Sequence, residues 1–202
     1  MRFHFFQLFL STVTTTLIMS QAFADDIHLG TPNYGGNGCP QGTASATLSP
    51  DRQSLSILFD SYIAEAGGHT GLNVDRKSCN IAIPVHVPQG YSISVFKVDY
   101  RGYTFVPAGG SARFNVEYFF AGQRGPSMAR TFPGFVNNNY LISNNIAASA
   151  MVWSGCGESV NLRINSSMMA LTNSSKAQTL ATVDSTDIKS GLIYHLQWRQ
   201  CR

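Results

Sequence analysis

Hydrophobic and polar residues alternate along much of the chain. In "SLSILFDSYI", residues 54–63, Leu55, Ile57, Phe59 and Ile63 share one parity. "ARFNVEYFF" sets Phe114, Val116, Tyr118 and Phe120 against Arg113, Asn115 and Glu117. Val160, Leu162, Ile164 and Met168 repeat the pattern, as do Leu192, Tyr194, Leu196 and Trp198, and "NIAIPVHV" adds Ile81, Ile83, Val85 and Val87. A period of two places successive side chains on opposite faces, so these runs predict half-buried strands. Pro84 lacks an N–H, which predicts an edge position or a bulge for its strand. In "YSISVFKVDY" the apolar parity changes from Tyr91, Ile93 and Val95 to Phe96, Val98 and Tyr100. That shift predicts a β-bulge near Val95–Phe96, or a strand buried on both faces. Turn signals fall between the runs at "SPDR", "AGGHTG", "VPQG", "RG" (101–102) and "PAGG". No amphipathic helical period is present. The fold class read from this pattern is all-β, a single-domain antiparallel β-sandwich.

Residues 121–147 alternate poorly and hold two prolines and five asparagines. They read as a long surface loop with one short strand around Tyr140–Ile142. As a candidate binding surface the segment offers flat apolar faces at Phe132, Phe135 and Tyr140. Beside them Asn137, Asn138 and Asn139 supply paired donors and acceptors. Aromatics next to amides suit a neutral polymer such as a polysaccharide, or a surface protein. The competing reading tucks the same aromatics under the loop as packing.

The first 24 residues change the picture of the compartment. A weakly basic start, the apolar stretch "FFQLFLSTVTTTLIM" and Ala22-Phe23-Ala24 read as a secretory leader cut before Asp25, leaving 25–202 as the secreted domain. No later run reaches the roughly 18 apolar residues of a membrane span, so no transmembrane anchor is expected in the mature chain. The formal charge of +3 includes Arg2 of the leader. So small a basic excess, unclustered, argues against nucleic acid as a partner. Only 12% of residues are charged, while 49 are Ser, Thr or Asn, so the surface is polar and mostly neutral. Behind a leader, Cys39, Cys79, Cys156 and Cys201 read as two disulfides. Cys39–Cys79 and Cys156–Cys201 are favoured because each closes a loop of about 40 residues, worth about 4 kcal/mol in the chain-entropy model. The other two pairings remain open on sequence alone.

Chemistry is sparse. "YGGNGCPQG", residues 34–42, lacks the Lys-Ser/Thr and the following helix of a phosphate loop, and has no second cysteine or histidine at metal spacing. It reads as a glycine turn pinned by Cys39. "WSGCG" is not a nucleophile elbow, because Trp153 stands where G-x-S-x-G needs its first glycine. His86 and His195 lie on outward faces and could meet near Asp99 or Glu117, as could two carboxylates among Asp60, Glu65, Asp99 and Glu117 in one cleft. Isolated surface groups are commoner. No catalytic residue, metal or cofactor is therefore assigned. Asn165-Ser166-Ser167 and Asn173-Ser174-Ser175 match the N-glycosylation pattern, which matters only in a eukaryotic secretory route.

"YGGNGCPQGTASATLSPDRQSLSILFD", "DRKSCNIAIPVHVPQGYSISV", "YRGY", "VWSGCG" and "LQWRQC" resemble the motifs of the domain of unknown function 4360 family, small secreted proteins of bacteria and fungi. The resemblance spans nearly the whole mature chain. It implies a secreted, disulfide-bonded, β-rich domain, and it brings no activity, cofactor or catalytic residue. The functional expectation is a non-catalytic binding or structural protein of the cell surface or extracellular space. Two alternatives stand beside it: a hydrolase assembled from distant residues, and an effector acting on another organism's envelope.

Overall fold

The structure, a computed structural model, describes residues 26–183 and 191–201. The expected leader and its cut before Asp25 lie outside the described residues. In chain order the strands are His28–Leu29 (β1), Asn33–Gly35 (β2), Ala44–Leu48 (β3), Ser54–Phe59 (β4), Ile63–Ala66 (β5), Val74–His86 (β6) and Tyr91–Val106 (β7). Ser111–Phe120 (β8), Ser127–Pro133 (β9), Val136–Asn145 (β10), Val160–Leu171 (β11), Thr179–Thr182 (β12) and Leu192–Gln200 (β13) follow. Among the described residues, helix is confined to two short 3-10 turns, Gly68–Thr70 and Ala148–Ala150.

Two antiparallel sheets carry the fold. The first runs β1–β6–β11–β8–β9, with β2 pairing β6 beside β1. The second is organised around β7, whose one edge pairs with β13 and, further along, with β12, while its other edge pairs with β10. β4 and β3 extend the sheet beyond β13, and β5 extends it beyond β12. The alternation in sequence becomes the two inner faces. Leu162, Ile164 and Met168 of β11, with Phe114, Val116 and Tyr118 of β8, face Val98 and Tyr100 of β7 and Leu192 and Tyr194 of β13. The sheets meet through T-shaped ring pairs, Tyr100 on Phe114 at 5.5 Å and Tyr118 on Tyr194 at 5.6 Å. Each such pair contributes about 0.5–1.5 kcal/mol beyond its buried area.

The disulfides are Cys39–Cys79 and Cys156–Cys201. Cys39 and Cys79 are fully buried, and their bridge ties β6 to the segment that carries the chain from the first sheet to β3. Gly36 in that segment has φ +110, and a Cβ there would collide with the Ser78 carbonyl, so the turn requires glycine. Cys156–Cys201 spans the start of β7. Its two halves belong to the segments on either side, anchored by Gly157 N–H to Tyr91 O and Cys201 N–H to Gly90 O, each 2.8 Å.

Several expectations change in detail. The bulge is present: His195 pairs with Lys97 and Leu196 with Val95, so Phe96 is the extra residue. Pro84 marks neither an outer edge nor a bulge, since β6 pairs without interruption with β11. Its carbonyl accepts from Gly30 N–H, so its missing N–H faces the gap between β1 and β2, where no partner is needed. Ile63 is 40% exposed, because the chain breaks after Phe59 and buries Tyr62 and Ala64 instead. Gly102 is no turn: it sits inside β7 opposite Tyr140, where a Cβ would strike the Tyr140 hydroxyl and the Thr182 carbonyl. The segment 121–147, expected as a loop with one short strand around Tyr140–Ile142, is mostly strand: that short strand is part of β10, and β9 precedes it. β9 is an edge strand of the first sheet and β10 of the second, and Gly134-Phe135 carries the chain between them. Edge strands bury few side chains, which is why their alternation was faint.

Candidate functional site

β7 runs for 16 residues, about 50 Å at the usual rise per residue of a strand. Its inner side chains are core. Its outer ones, Lys97, Asp99, Arg101, Tyr103 and Phe105, stand opposite Asn145, Ser143, Leu141, Asn139 and Asn137 of β10. The result is a stripe of amides, rings and a few charges along one face of the molecule. β13 continues it on the other side with His195 beside Lys97 and Arg199 beside Ser92.

At one end Asn137 Oδ1 accepts from the Tyr103 hydroxyl at 2.6 Å, which holds that ring in place. Tyr103 and Asn139 border a cleft of about 510 Å³ whose other walls include Asp60, Ser61, Ile63 and Thr182. That volume falls within the range of small-ligand sites. Phe135, at the β9–β10 corner, is 88% exposed, and Leu141 is 61% exposed. The other two aromatics of the segment turn inward. Phe132 is buried, with its ring 4.9 Å from that of Tyr140. Tyr140 is half-buried and donates to Thr182 O at 2.7 Å. Asn138 is exposed but lies opposite Thr104 on the inward side of β10.

The centre of the stripe is an aspartate. Asp99 accepts from Ser143 Oγ at 2.5 Å and from His195 Nε2 and Lys97 Nζ at 2.8 and 3.1 Å. Burial pushes its carboxyl up, and the three donors together outweigh that and hold it below the ordinary carboxylate value. A carboxylate only accepts, so His195 Nε2 carries a proton. In an acyl-transfer relay the imidazole stands between serine and carboxylate. Here the carboxylate stands between serine and imidazole, so Ser143 donates to Asp99 and not to the imidazole. The cluster braces β7, β10 and β13 across the sheet. Phe96, displaced by the bulge, packs against the His195 ring at 6.0 Å between centroids. His86 does not join this group: it lies on the first sheet, stacked on His28 at 4.6 Å. Glu117 is also on the first sheet, opposite Asn165.

At the far end the Arg199 guanidinium lies 4.0 Å over the Trp153 ring. A cavity of about 700 Å³ opens beside it, walled by Ser92, Ser154, Gln200 and the Cys156–Cys201 disulfide. "WSGCG" is therefore a wall and a turn, with Ser154 Oγ spent on Ile93 N–H and Gly155 O. Of the two sequons, Asn165 is followed by buried Ser166 inside a doubly paired strand. Asn173 uses its amide to bond Ala108 O, Ser175 Oγ and Ala177 N.

Sequence reasoning named Asn137, Asn138, Asn139 and Phe135, and offered Asp60 as one of a carboxylate pair, whereas among the described residues the cleft holds it without a second carboxylate. It missed Tyr103, Ser143 and Arg199. The usable signal was register: once "YRGYTF" is read as a continuation of β7, Tyr103 and Arg101 share its outer face. Two packed antiparallel sheets, two disulfides and a charge-poor, amide-rich face define a secreted, disulfide-bonded β-sandwich. The chain belongs to the family described as a domain of unknown function (DUF4360), whose model matches residues 25–201. An "Uncharacterized secreted protein" of Arthroderma benhamiae is 36% identical over 178 residues, which cover 88% of this chain and 73% of that relative. Among the described residues, no helix is long and apolar enough to cross a membrane.

Proposed function

We propose that the protein is a non-catalytic binding module that engages a polysaccharide at a cell surface or in the extracellular space. The observation that carries this reading is the stripe along β7 and β10. It joins Asn139 and Tyr103 at the 510 Å³ cleft, with Asn137 bonded to Tyr103, to exposed Phe135 at the neighbouring corner. Rings offer apolar faces to the C–H faces of sugars, and amides pair with vicinal hydroxyls as donor and acceptor together. A face on paired strands is rigid, so little ordering entropy opposes binding of a long, stiff polymer. In this arrangement Asn137 positions Tyr103, Asn139 and Asp60 contact hydroxyls, and Phe132 and Tyr140 hold β10 against the sheet from beneath.

The test is retention of the mature protein on insoluble glycans and on envelope fractions. The expected result is retention that falls at least tenfold in Tyr103→Ala and Asn139→Ala. Passage through every matrix, or retention that both variants leave unchanged, counts against the reading.

A further inference from the structure

We infer that the cavity beside Cys156–Cys201 is a carboxylate-binding subsite, and that the carboxylate it takes belongs to a uronic acid residue of an extracellular glycan. Arg199 is the anchor. Its guanidinium carbon lies 4.0 Å over the centre of the Trp153 ring, so the ring covers one side of the group. Among the described residues it has no hydrogen bond and no ion pair. Arginine presents paired donors in a fixed fork that matches the two oxygens of a carboxylate, and a guanidinium already stacked on a ring loses little freedom when it binds.

The cavity walls fit the same ligand. Ser92 is 4% exposed, and among the described residues its hydroxyl bonds only Cys201 Sγ at 3.6 Å, a weak partner for a buried O–H. Gln200 adds an amide, and none of the residues lining the cavity is acidic. Among the described residues the lining thus offers donors, positive charge and no competing carboxylate. The disulfide and the pairing of the start of β7 with the end of β13 fix these groups in space, so the site is pre-formed rather than gathered on binding.

The source of the carboxylate follows from place. Arg199 and Trp153 flank the first residues of β7 on the same outer face as Tyr103. A polymer lying along that strand would meet the amide cleft at one end and the guanidinium at the other. For the glycan source, the inference rests on the polymer-binding reading; for the carboxylate chemistry it does not.

The experiment is a titration of the disulfide-intact mature protein, followed by amide chemical shifts. The probes are glucuronate, galacturonate oligomers, glucose, and a tripeptide with a free C-terminal carboxylate. Saturable shifts at Ser92, Ser154 and Arg199 are expected with both uronate probes and not with glucose. Added salt should weaken them, because an exposed ion pair is screened. Arg199→Gln should weaken uronate binding at least tenfold, and Arg199→Lys should restore only part of it. Arg199 is exposed, so both variants are expected to keep the wild-type melting temperature, which is measured alongside. Unmoved resonances, equal responses to glucose and glucuronate, or unchanged affinity in Arg199→Gln would overturn the inference. Binding of the tripeptide without the uronates would overturn the glycan assignment. Tyr103→Ala separates the two proposals: it should abolish retention on neutral glycans and leave the glucuronate titration as it is.

Discussion

Asp99 accepts three hydrogen bonds on the solvent side of a sheet, and asparagine in its place keeps the shape while removing the charge. Hydrogen bonds to charged groups are worth about 1.5–3 kcal/mol, so Asp99→Asn is expected to lower stability by about 2 kcal/mol at neutral pH. Because the folded carboxyl sits below its ordinary value, this contribution is complete above about pH 4 and disappears as pH falls through the folded pKa. Urea unfolding at pH 7 and at successively lower pH checks it: the gap between the two proteins should narrow as the solution becomes more acid. The buried tyrosines act in the opposite sense. Burial raises the phenols of Tyr62, Tyr100, Tyr118 and Tyr194 above the ordinary value of 10, and neighbouring phenols reinforce this for Tyr100 and Tyr194. Their contribution is complete below about pH 10 and is lost as pH rises towards the folded values. In an ultraviolet titration these four phenolates should therefore appear in step with alkaline unfolding. Two substitutions separate useful hydroxyls from idle ones. Tyr62 bonds Ser166 Oγ at 3.1 Å, so Tyr62→Phe should cost about 1 kcal/mol. Among the described residues the Tyr194 hydroxyl has no hydrogen-bond partner, and Tyr194→Phe should melt at or above the wild-type temperature.

At the scale of elements, the strands that cross the middle of a sheet were legible and the edge strands were not. β8 and β11 bury every second side chain without a gap, so their period of two is plain in the letters. β10 faces inward with Val136, Asn138, Tyr140, Ile142 and Asn144, and two asparagines among five inward positions erase the alternation. The bulge at Phe96 could be read because a parity change marks a register change. Gly102 could not, because its reason is the Tyr140 ring, and a short strand around Tyr140–Ile142 says nothing of which strand it pairs with. The same limit applied to the candidate site: Asn137 and Asn139 were visible as composition, while Tyr103 is brought to them only by strand pairing. Gly102→Ala tests that pairing. Its Cβ needs space held by Tyr140 and Thr182, and overpacking of this kind costs about 1–3 kcal/mol. The expected outcome is a lower urea midpoint, with faster hydrogen exchange confined to β10 and the adjoining part of β7.

Across the whole molecule the two disulfides share one chain-entropy logic and differ in access. Cys39 and Cys79 are sealed in the core, whereas Cys156 is exposed and its bridge walls an open cavity. Thiol–disulfide exchange needs the attacking thiolate to reach a sulfur. Mild reductant followed by alkylation and mass spectrometry should therefore label Cys156 and Cys201 well before Cys39 and Cys79. The secreted compartment suits this arrangement, since an oxidising medium maintains both bridges while each adds about 4 kcal/mol against unfolding. The position of the second bridge has a mechanical consequence. A load applied at Cys201 does not reach β13 as a peeling force that opens one hydrogen bond after another. The covalent strap passes it across the first residues of β7 to the segment on the other side, so three neighbouring segments bear the tension in parallel. A molecule tethered to a polymer on one face and pulled by flow would resist with the sheet in shear, its stiffer direction, for as long as that strap stays oxidised.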